Sequence, residues 1–277
     1  PSVYRTVAYT YDKVGNRTLM NQDGIPTVYR YDTNNQMTQA GVQAYTYDQN
    51  GNTVTTETLS GAISYRYDGE NRLVEAHFAD GTGVRYGYDG FGRRVYREEA
   101  YWQNKNHLKS EITSYLWDGN HVLMEFDGKG VSPLAEYYLG NGQILAKKMF
   151  GLHGRKQPGN DNLIRTRGGL LYYHYDSLGS VTALTDRQGE VIDRYYYDVF
   201  GQPLAGTYGP YNSYGFTGKE YDQKTGQYYF PARWLNPTVG RWMTQDPFRG
   251  WTSDLVSMYR YLYRILLQKQ LHITTNV

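Results

Sequence analysis

A Tyr-Asp pair followed by turn-forming residues recurs along the chain, and this repeat constrains the fold more than any other feature. Neighbouring early copies start about twenty residues apart, a period typical of repeat architectures. The copies are YDKVGNR, YDTNNQM, YDQNGNT, YDGENRL, YDGFGRR, the diverged WDGNHVL, YDSLGSV, YDVFGQP and YDQKTGQ, starting at Tyr11, Tyr31, Tyr47, Tyr67, Tyr88, Trp117, Tyr175, Tyr197 and Tyr221. The chain is therefore expected to be an array of similar units.

Each unit is predicted to be one β-hairpin. Alternating segments such as TVYRYD lead into Asp-x-x-Gly or Asp-x-x-Asn, where Asp accepts backbone N–H bonds and Gly or Asn adopts positive φ. A lone hairpin is marginal in water, so the units must pair edge to edge. We predict an all-β fold of stacked antiparallel hairpins in a curved or spiralling sheet, a partial β-shell. Equivalent turn positions are predicted for Asp12, Asp32, Asp48, Asp68, Asp89, Asp176 and Asp198.

The composition fits a sheet held together by tyrosine. The 277 residues include 31 Tyr and 31 Gly, and the mean hydropathy is only −0.71. Tyrosine suits strands with one wet face, because its ring packs against neighbours while its hydroxyl reaches polar partners. Rows of stacked tyrosines are the favoured interpretation. The alternative is a series of sugar or choline pockets, but such modules usually stack tryptophan, and this chain has 5 Trp.

The net charge and the residue content limit the kinds of function that this chain can have. The net charge of +2 provides no broad attraction for nucleic acid, so no nucleic-acid partner is expected. Without cysteine, the chain can form neither disulfides nor thiolate zinc sites. No cofactor or metal is expected, since the histidines lack the spacing of metal ligands. These are His77, His107, His121, His153, His174 and His272. Neither a signal peptide nor a membrane span is predicted, and the sequence reads as a fragment.

Two long segments carry a resemblance to a known family. They are YYHYDSLGSVTALTDRQGEVIDRYYYDVFGQPL and YGFTGKEYDQKTGQYYFPARWLNPTVGRWMTQDP, between Leu170 and Pro247. Together with the YD phrases, they closely resemble the Rhs/YD-repeat family and its Rhs repeat-associated core. The resemblance, which extends to a Tc toxin component and to teneurins, implies a hollow shell around a C-terminal toxin, secreted or at the cell surface. Teneurins use a similar shell for adhesion.

The same resemblance implies a self-cleaving plug at the end of the shell. The family phrase GRFxSxDP corresponds to GRWMTQDP here, so Arg241 and Asp246 are the candidate catalytic residues. The second family motif, DPxGL, is missing from the sequence, and a single carboxylate cannot serve as both acid and base. We therefore expect an inactive remnant, folded against the last hairpins with Trp242 and Trp251 as apolar anchors. The competing interpretations are a structural Arg241–Asp246 ion pair and a simple turn at Asp246-Pro247.

Three regions are expected along the chain. Residues 1–167 form the hairpin array with irregular insertions, 168–250 form the Rhs-associated core, and 251–277 form a divergent tail that is a short helix or disordered. Leu262, Ile265, Leu266 and Leu271 have helical spacing in the tail.

The preferred function is a structural shell segment of a bacterial Rhs-type toxin. The alternatives are an extracellular adhesion or glycan-binding array and a self-cleaving aspartyl plug. About eighteen strands make a strip of roughly 85 Å at ~4.8 Å per strand, too short to enclose a toxin-sized domain. The expected partners are therefore the rest of a shell, or other copies joined through open sheet edges. A toxin cargo and a surface glycan are further expected partners.

Overall fold

The computed structural model describes residues 4–104, 107–128, 132–150, 169–204, 211–250, 259–263 and 273–276. Apart from a 3-10 turn at Phe216–Gly218, the regular elements of these residues are all strands. The first eleven are β1 (Tyr4–Tyr11), β2 (Arg17–Gln22), β3 (Ile25–Tyr31), β4 (Met37–Ala40), β5 (Gln43–Tyr47), β6 (Thr53–Thr58), β7 (Gly61–Tyr67), β8 (Leu73–Phe78), β9 (Gly83–Tyr88), β10 (Arg94–Asn104) and β11 (His107–Asp118). The others are β12 (His121–Asp127), β13 (Ser132–Gly140), β14 (Gln143–Met149), β15 (Leu170–Tyr175), β16 (Val181–Thr185), β17 (Val191–Arg194), β18 (Glu220–Asp222), β19 (Gln227–Phe230), β20 (Arg233–Asn236), β21 (Arg241–Trp242) and β22 (Ile273–Asn276).

The strands form two antiparallel sheets. In the large sheet, β1 to β17 pair in sequence order and β22 pairs with the free side of β1, giving 18 strands. The small sheet consists of β18 to β21, also in sequence order. The large sheet does not close into a barrel by strand pairing. The predicted all-β fold of stacked antiparallel hairpins is confirmed.

Seven of the nine YD phrases form one kind of turn. In each of the seven, the Asp carboxylate accepts the backbone N–H of the residue four positions later, at 2.8–2.9 Å, which closes the loop. This confirms the predicted turn positions of Asp12, Asp32, Asp48, Asp68, Asp89, Asp176 and Asp198. Asp186 makes the same turn with Glu190, at 3.0 Å. The sequence analysis missed it because Thr185 stands where the other repeats have tyrosine.

Tyrosines at two positions of the repeat hold neighbouring hairpins together. The first lies two residues before the YD tyrosine, and it is buried on the face of the large sheet that we call the inner face. This row comprises Tyr29, Tyr45, Tyr65, Tyr86, Tyr115, Tyr137, Tyr173 and Tyr195. The rings recur on every second strand, as the predicted tyrosine rows require.

The YD tyrosine itself bonds to the previous repeat. Its hydroxyl donates to the backbone carbonyl near the start of that repeat's second strand, as Tyr67 does to Thr53 at 2.9 Å. Trp117, in the diverged phrase, donates its indole N–H to the Arg94 carbonyl in the same way. Five further examples are Tyr31 to Arg17, Tyr47 to Met37, Tyr88 to Leu73, Tyr175 to Ile144 and Tyr197 to Val181. This bond joins successive hairpins beyond their strand pairing.

The small sheet covers part of the inner face. Trp234 and Tyr229 of the small sheet pack with Tyr86, Leu73 and Val84, and the Leu73 and Val84 side chains are fully buried. Fully burying a large apolar side chain contributes about 1.5–3 kcal/mol, so this contact is a main source of stability. One apolar core therefore lies between the two sheets, and a larger one lies along the middle and later repeats of the large sheet, around Leu171 and Leu184.

Side chains of the first and last repeats of the large sheet meet although their strands do not pair. The Phe200 ring lies edge-on to Tyr9, with 5.4 Å between centroids, and the Arg17 guanidinium lies 4.8 Å from the Phe200 centroid. Thr238 donates its hydroxyl to the Gln202 side chain beside this contact. Side-chain contacts therefore join the two ends of the large sheet along the edge that carries the YD turns.

The predicted tail helix falls mainly on residues 264–272, which lie outside the described part of the chain. Leu262 forms an isolated β-bridge with Arg241, and residues 273–276 form strand β22. The described part of the tail therefore consists of a turn at residues 259–262 and the strand β22.

Candidate functional site

Arg241, the first candidate catalytic residue, is buried against the first two repeats. Its Nη1 donates to Asn16 Oδ1 at 3.0 Å, and its Nη2 donates to the Asn35 carbonyl at 2.7 Å. The guanidinium carbon lies 4.9 Å from the centre of the Tyr31 ring. Burial lowers the pKa of Arg241 from its ordinary value, although the neighbouring tyrosine Tyr31 opposes this. These contacts attach β21 to the YD turns.

Asp246, the second candidate, has a different partner. One of its oxygens lies 2.7 Å from Arg233 Nη1 in an ion pair, and the other accepts the Phe248 N–H at 2.9 Å, which forms a turn. The Arg233 guanidinium lies 4.1 Å from the centre of the Trp242 ring system. Burial lowers the pKa of Arg233, and the nearby Asp246 carboxylate opposes that shift. The Asp246 carboxylate is therefore held by an arginine and by its own turn.

The structure does not bring the two candidates together. Arg241 binds Asn16 and Asn35 while Asp246 binds Arg233, so the expected Arg241–Asp246 ion pair is wrong. The expected turn at Asp246-Pro247 is present. Their catalytic role, and its loss, stay predictions.

The plug contacts more of the array than predicted. It lies beside the Phe200 ring of a late YD turn at Gly240, and it also contacts the first hairpins, because the buried Asn16 side chain supplies a partner for Arg241. Trp242 is buried against Phe230 and Tyr263, at centroid distances of 5.0 and 5.2 Å, as expected for an anchor. Trp251, the second expected anchor, lies outside the described residues.

A buried ion pair, which the sequence analysis missed, connects the two sheets. The Arg94 side chain is 0% exposed, and its Nη2 donates to Glu220 Oε2. The rings of Tyr115 and Tyr229 flank the guanidinium at 4.6 and 4.8 Å. Burial would lower the pKa of Arg94, but the Glu220 carboxylate raises it well above the ordinary value. In the sequence, Arg94 is simply the second arginine after a YD turn.

A second buried charge pair lies beside the first. Asp222, the aspartate of the ninth YD phrase, accepts from Arg97 Nε at 2.8 Å and from the Tyr86 hydroxyl at 2.7 Å. Burial alone would raise the pKa of Asp222, but Arg97 outweighs it and holds this pKa well below the usual range. Asp222 also accepts the Lys224 N–H within its own turn. The ninth repeat thus docks on the inner face instead of extending the large sheet.

Where the two sheets meet, the charged groups are mostly paired and enclosed by aromatic rings. This arrangement forms a rigid junction between the sheets. Among the described residues, no group of three or more His, Cys, Asp or Glu side chains is placed to hold a metal ion. The described part of the chain also contains no helix long and apolar enough to cross a membrane.

Comparison with known proteins identifies the array. A family model described as the teneurin YD-shell matches residues 2–128 and 161–266, more than half of the chain. The chain belongs to the teneurin YD-shell family. The resemblance to Rhs/YD-repeat shells is thereby confirmed, and the match spans both the large and the small sheet of this YD-shell segment.

Curated relatives of the YD-shell segment are much longer proteins. The tRNA3(Ser)-specific nuclease WapA of Bacillus spizizenii is 29% identical over 183 residues, covering 64% of this chain and 7% of that protein. Double-stranded DNA deaminase toxin A of Burkholderia cenocepacia is 25% identical over 194 residues, covering 63% of this chain and 13% of that protein. The segment therefore matches a small part of each relative.

A solved structure has the same fold. The crystal structure of TcdB2-TccC3-TEV superposes with a TM-score of 0.56 at 18% identity, over 92% of this chain and 16% of the solved one. At this identity the likeness concerns the fold alone. Nearly the whole YD-shell segment therefore has a counterpart of the same fold in that structure.

Proposed function

We propose that this YD-shell segment is a non-enzymatic end piece of a shell, in which the small sheet fills one end and closes it. The observation that carries this proposal is the attachment of the small sheet to the large one. Arg94–Glu220 and Arg97–Asp222 join it to the inner face, and Arg241–Asn16 joins it to a YD turn. Where the small sheet covers the inner face, little room is left for cargo. The enclosed space belongs to other parts of the shell.

Contact between the first and last repeats supports closure at this end, and the absence of native cysteine makes it easy to test. In a Tyr9→Cys/Phe200→Cys variant, a short bifunctional thiol crosslinker added to dilute protein should join the two cysteines within one chain, seen as faster migration on a denaturing gel. Tyr9→Cys/Phe91→Cys is the matched control, because Phe91 has the same position in another YD turn and is 87% exposed. Only intermolecular products from the first pair would contradict closure.

The cargo is proposed to be a toxin domain carried by another part of the same polypeptide. Support comes from two relatives that are named as a tRNA nuclease and as a DNA deaminase toxin. The test is the intact protein from its native source, treated with protease with and without a shell-unfolding concentration of urea. We expect a mass above 32.0 kDa and a domain that is digested only after the shell unfolds. Equal digestion in both conditions would refute enclosure.

The segment is also proposed not to cleave itself. An aspartyl mechanism uses two carboxyl groups that exchange a proton, whereas the ionic partner of Asp246 is Arg233. The intact mass should stay at 32.0 kDa during incubation at neutral pH. A new terminus near Asp246 would refute this proposal.

A further inference from the structure

A cavity of about 400 Å³ lies beside the junction of the two sheets. Strands β10 to β14 of the large sheet form one wall, and β18 with residues 212–213 and 223–224 forms the opposite wall. Gln223 is exposed and the Glu99 side chain is 30% exposed, so the cavity opens to solvent beside them. Ligand pockets commonly have volumes of about 300–1,000 Å³. The cavity is therefore large enough for a small organic molecule.

The cavity exists because two positions of the inner face carry small side chains. Two residues before the inner-face tyrosine, β9 and β15 have Val84 and Leu171, whose side chains are fully buried. At the same position, β11 and β13 have Thr113 and Ala135, and both of these residues line the cavity. The two smaller side chains leave space that the larger ones fill in the neighbouring repeats.

Part of the cavity wall is apolar. Leu134, Met149 and Tyr115 line it and are buried. Leu134 is the extra residue of a β-bulge in β13 and has no partner in β12. Bulges change the direction of a side chain and are common beside binding sites. This part of the wall suits an apolar group of a ligand.

A buried ammonium and a buried carboxylate face each other in the cavity. Lys147 Nζ lies 4.0 Å from Glu125 Oε2, and the two side chains are 7% and 13% exposed. This distance is too long for a hydrogen bond. The other oxygen of Glu125 accepts the Tyr137 hydroxyl at 2.6 Å. Among the described residues, Lys147 Nζ and Glu125 Oε2 have no hydrogen-bond partner, so both can bind a ligand.

The other charges that line the cavity are engaged elsewhere. The Lys224 ammonium lies 4.8 Å from the centre of the Phe78 ring, which is not part of the cavity wall. The ion-paired lining groups and their partners are Arg97 with Asp222 and Glu99, and Glu220 with Arg94. One group of each sign thus remains available, which favours a ligand that carries both charges over a net cation or anion.

We propose that this cavity binds a free amino acid with an apolar side chain. The ligand carboxylate would accept a hydrogen bond from Lys147, its ammonium would donate to Glu125, and its side chain would pack against Leu134 and Met149. Charge-assisted hydrogen bonds are roughly twice as strong as neutral ones, so an uncharged peptide group would bind less tightly at the same place. Because such a ligand contacts both walls, its binding would also stabilise docking of the small sheet.

The test measures binding of three related probes to the complete chain at neutral pH, by titration calorimetry and ligand-observed NMR. Leucine carries both charges, N-acetyl-leucine lacks the ammonium and leucinamide lacks the carboxylate. Leucine should bind saturably, and each of the other two should bind at least about tenfold more weakly. Saturating leucine should also raise the urea midpoint, because it binds only the folded chain.

Two variants assign the two charges separately. Lys147→Met should weaken leucine binding about tenfold and remove the preference for leucine over leucinamide. Glu125→Gln should remove the preference for leucine over N-acetyl-leucine. The matched controls are Lys148→Met and Glu136→Gln, because these two residues pair across β13 and β14 on the opposite face and do not line the cavity. Both controls should bind leucine normally.

A third variant tests the space itself. Ala135→Leu introduces the side chain that β15 has at Leu171, and it should fill the cavity and abolish leucine binding. If this variant does not fold, the three probes and the two charge variants decide the matter. The proposal is overturned if leucine does not saturate by on the order of 10 mM, or if N-acetyl-leucine or leucinamide binds as tightly. It is also overturned if folded Lys147→Met, Glu125→Gln or Ala135→Leu protein binds leucine normally.

Discussion

Arg94 and Glu220 lie 126 residues apart in the sequence and form an ion pair at the centre of the contact between the two sheets. One belongs to β10 of the large sheet and the other to β18 of the small sheet. Both side chains are almost entirely removed from solvent. Removing one charge would leave the other buried without a counter-charge, which makes this pair a sensitive measure of docking between the sheets.

Glu220→Gln should therefore lower the free energy of unfolding by ~3–5 kcal/mol, as expected for one broken partner of a buried pair. Urea denaturation monitored by circular dichroism measures the change. Glu75→Gln is the control, because Glu75 pairs on the other face with Arg66 and Arg85, which are largely exposed, and its loss should cost under about 1 kcal/mol. Equal effects of the two changes would mean that the small sheet is not docked through Arg94.

Tyr67→Phe tests the bond between successive repeats. The change removes only the hydroxyl that donates to the Thr53 carbonyl, and it should cost ~1 kcal/mol or somewhat more because that carbonyl is left unpaired. Tyr172→Phe, at a half-exposed ring whose strand neighbours Tyr173 and Leu171 are buried, should change the urea midpoint little. A larger loss at Tyr172 than at Tyr67 would contradict the proposed bond.

Alkaline pH should unfold the segment. Burial raises the pKa of Tyr65 from 10.0 to about 12, and Tyr221 and Tyr229 shift to about 12 for the same first reason. Because the folded state holds these protons more tightly, their contribution is complete below pH 10 and is lost as the pH rises towards 12. Urea midpoints should fall over that interval, and Tyr65→Phe should reduce the slope. Tyrosinate absorbance of these rings appearing at pH 10 in folded protein would contradict the shifts.

Gly51→Ala should be more harmful than Gly92→Ala. Both glycines have φ near +80° at the same position of a YD turn, so an alanine is strained equally at each. A Cβ at Gly51 would also collide with the Gln245 amide and the Tyr261 hydroxyl, whereas one at Gly92 meets nothing within 4 Å. We expect an additional cost of ~1–3 kcal/mol at Gly51 in urea denaturation. Equal costs would show that residues 245 and 261 do not pack on this turn.

Grafting a family-like NNPxxxxDPxGL sequence after Tyr261 tests whether Asp246 can still act. The graft supplies a second carboxyl group, so a new terminus should appear within the grafted sequence by mass spectrometry. Asp246→Asn in the grafted chain should prevent cleavage, while in the ungrafted chain it should cause no fragmentation. A folded grafted chain that stays intact would show that Asp246 is not in a catalytic position.

Repetition made the large sheet predictable from sequence. Asp12 and its counterparts form local turns with their own backbone, and the tyrosines before them alternate in register with the strand. Such interactions depend on neighbours within one or two repeats, so a repeating pattern reveals them. The exception is Asp186, whose turn has the usual geometry without the tyrosine that marks the others.

The candidate site was less predictable, because its residues meet only through the path of the chain. The family phrase identified Arg241 and Asp246 but indicated neither that Arg241 would reach Asn16 nor that Arg233 would hold Asp246. Nothing in the local sequence marks Arg94, Glu220 or Asp222 as members of a buried junction. Arginines after a YD turn and aspartates within one are found in other repeats as well.

By itself, the sequence determined the hairpin, its turn and its repetition, because these are set by hydrogen bonds and alternation over a few residues. Only the tertiary structure decided where the ninth repeat goes. Its Asp222 accepts the N–H two residues later, as other YD aspartates do, yet it lies on the inner face because Arg97 and Tyr86 are there to compensate its buried charge. The energy of a buried charge depends on every group around it, and those groups come from distant parts of the chain.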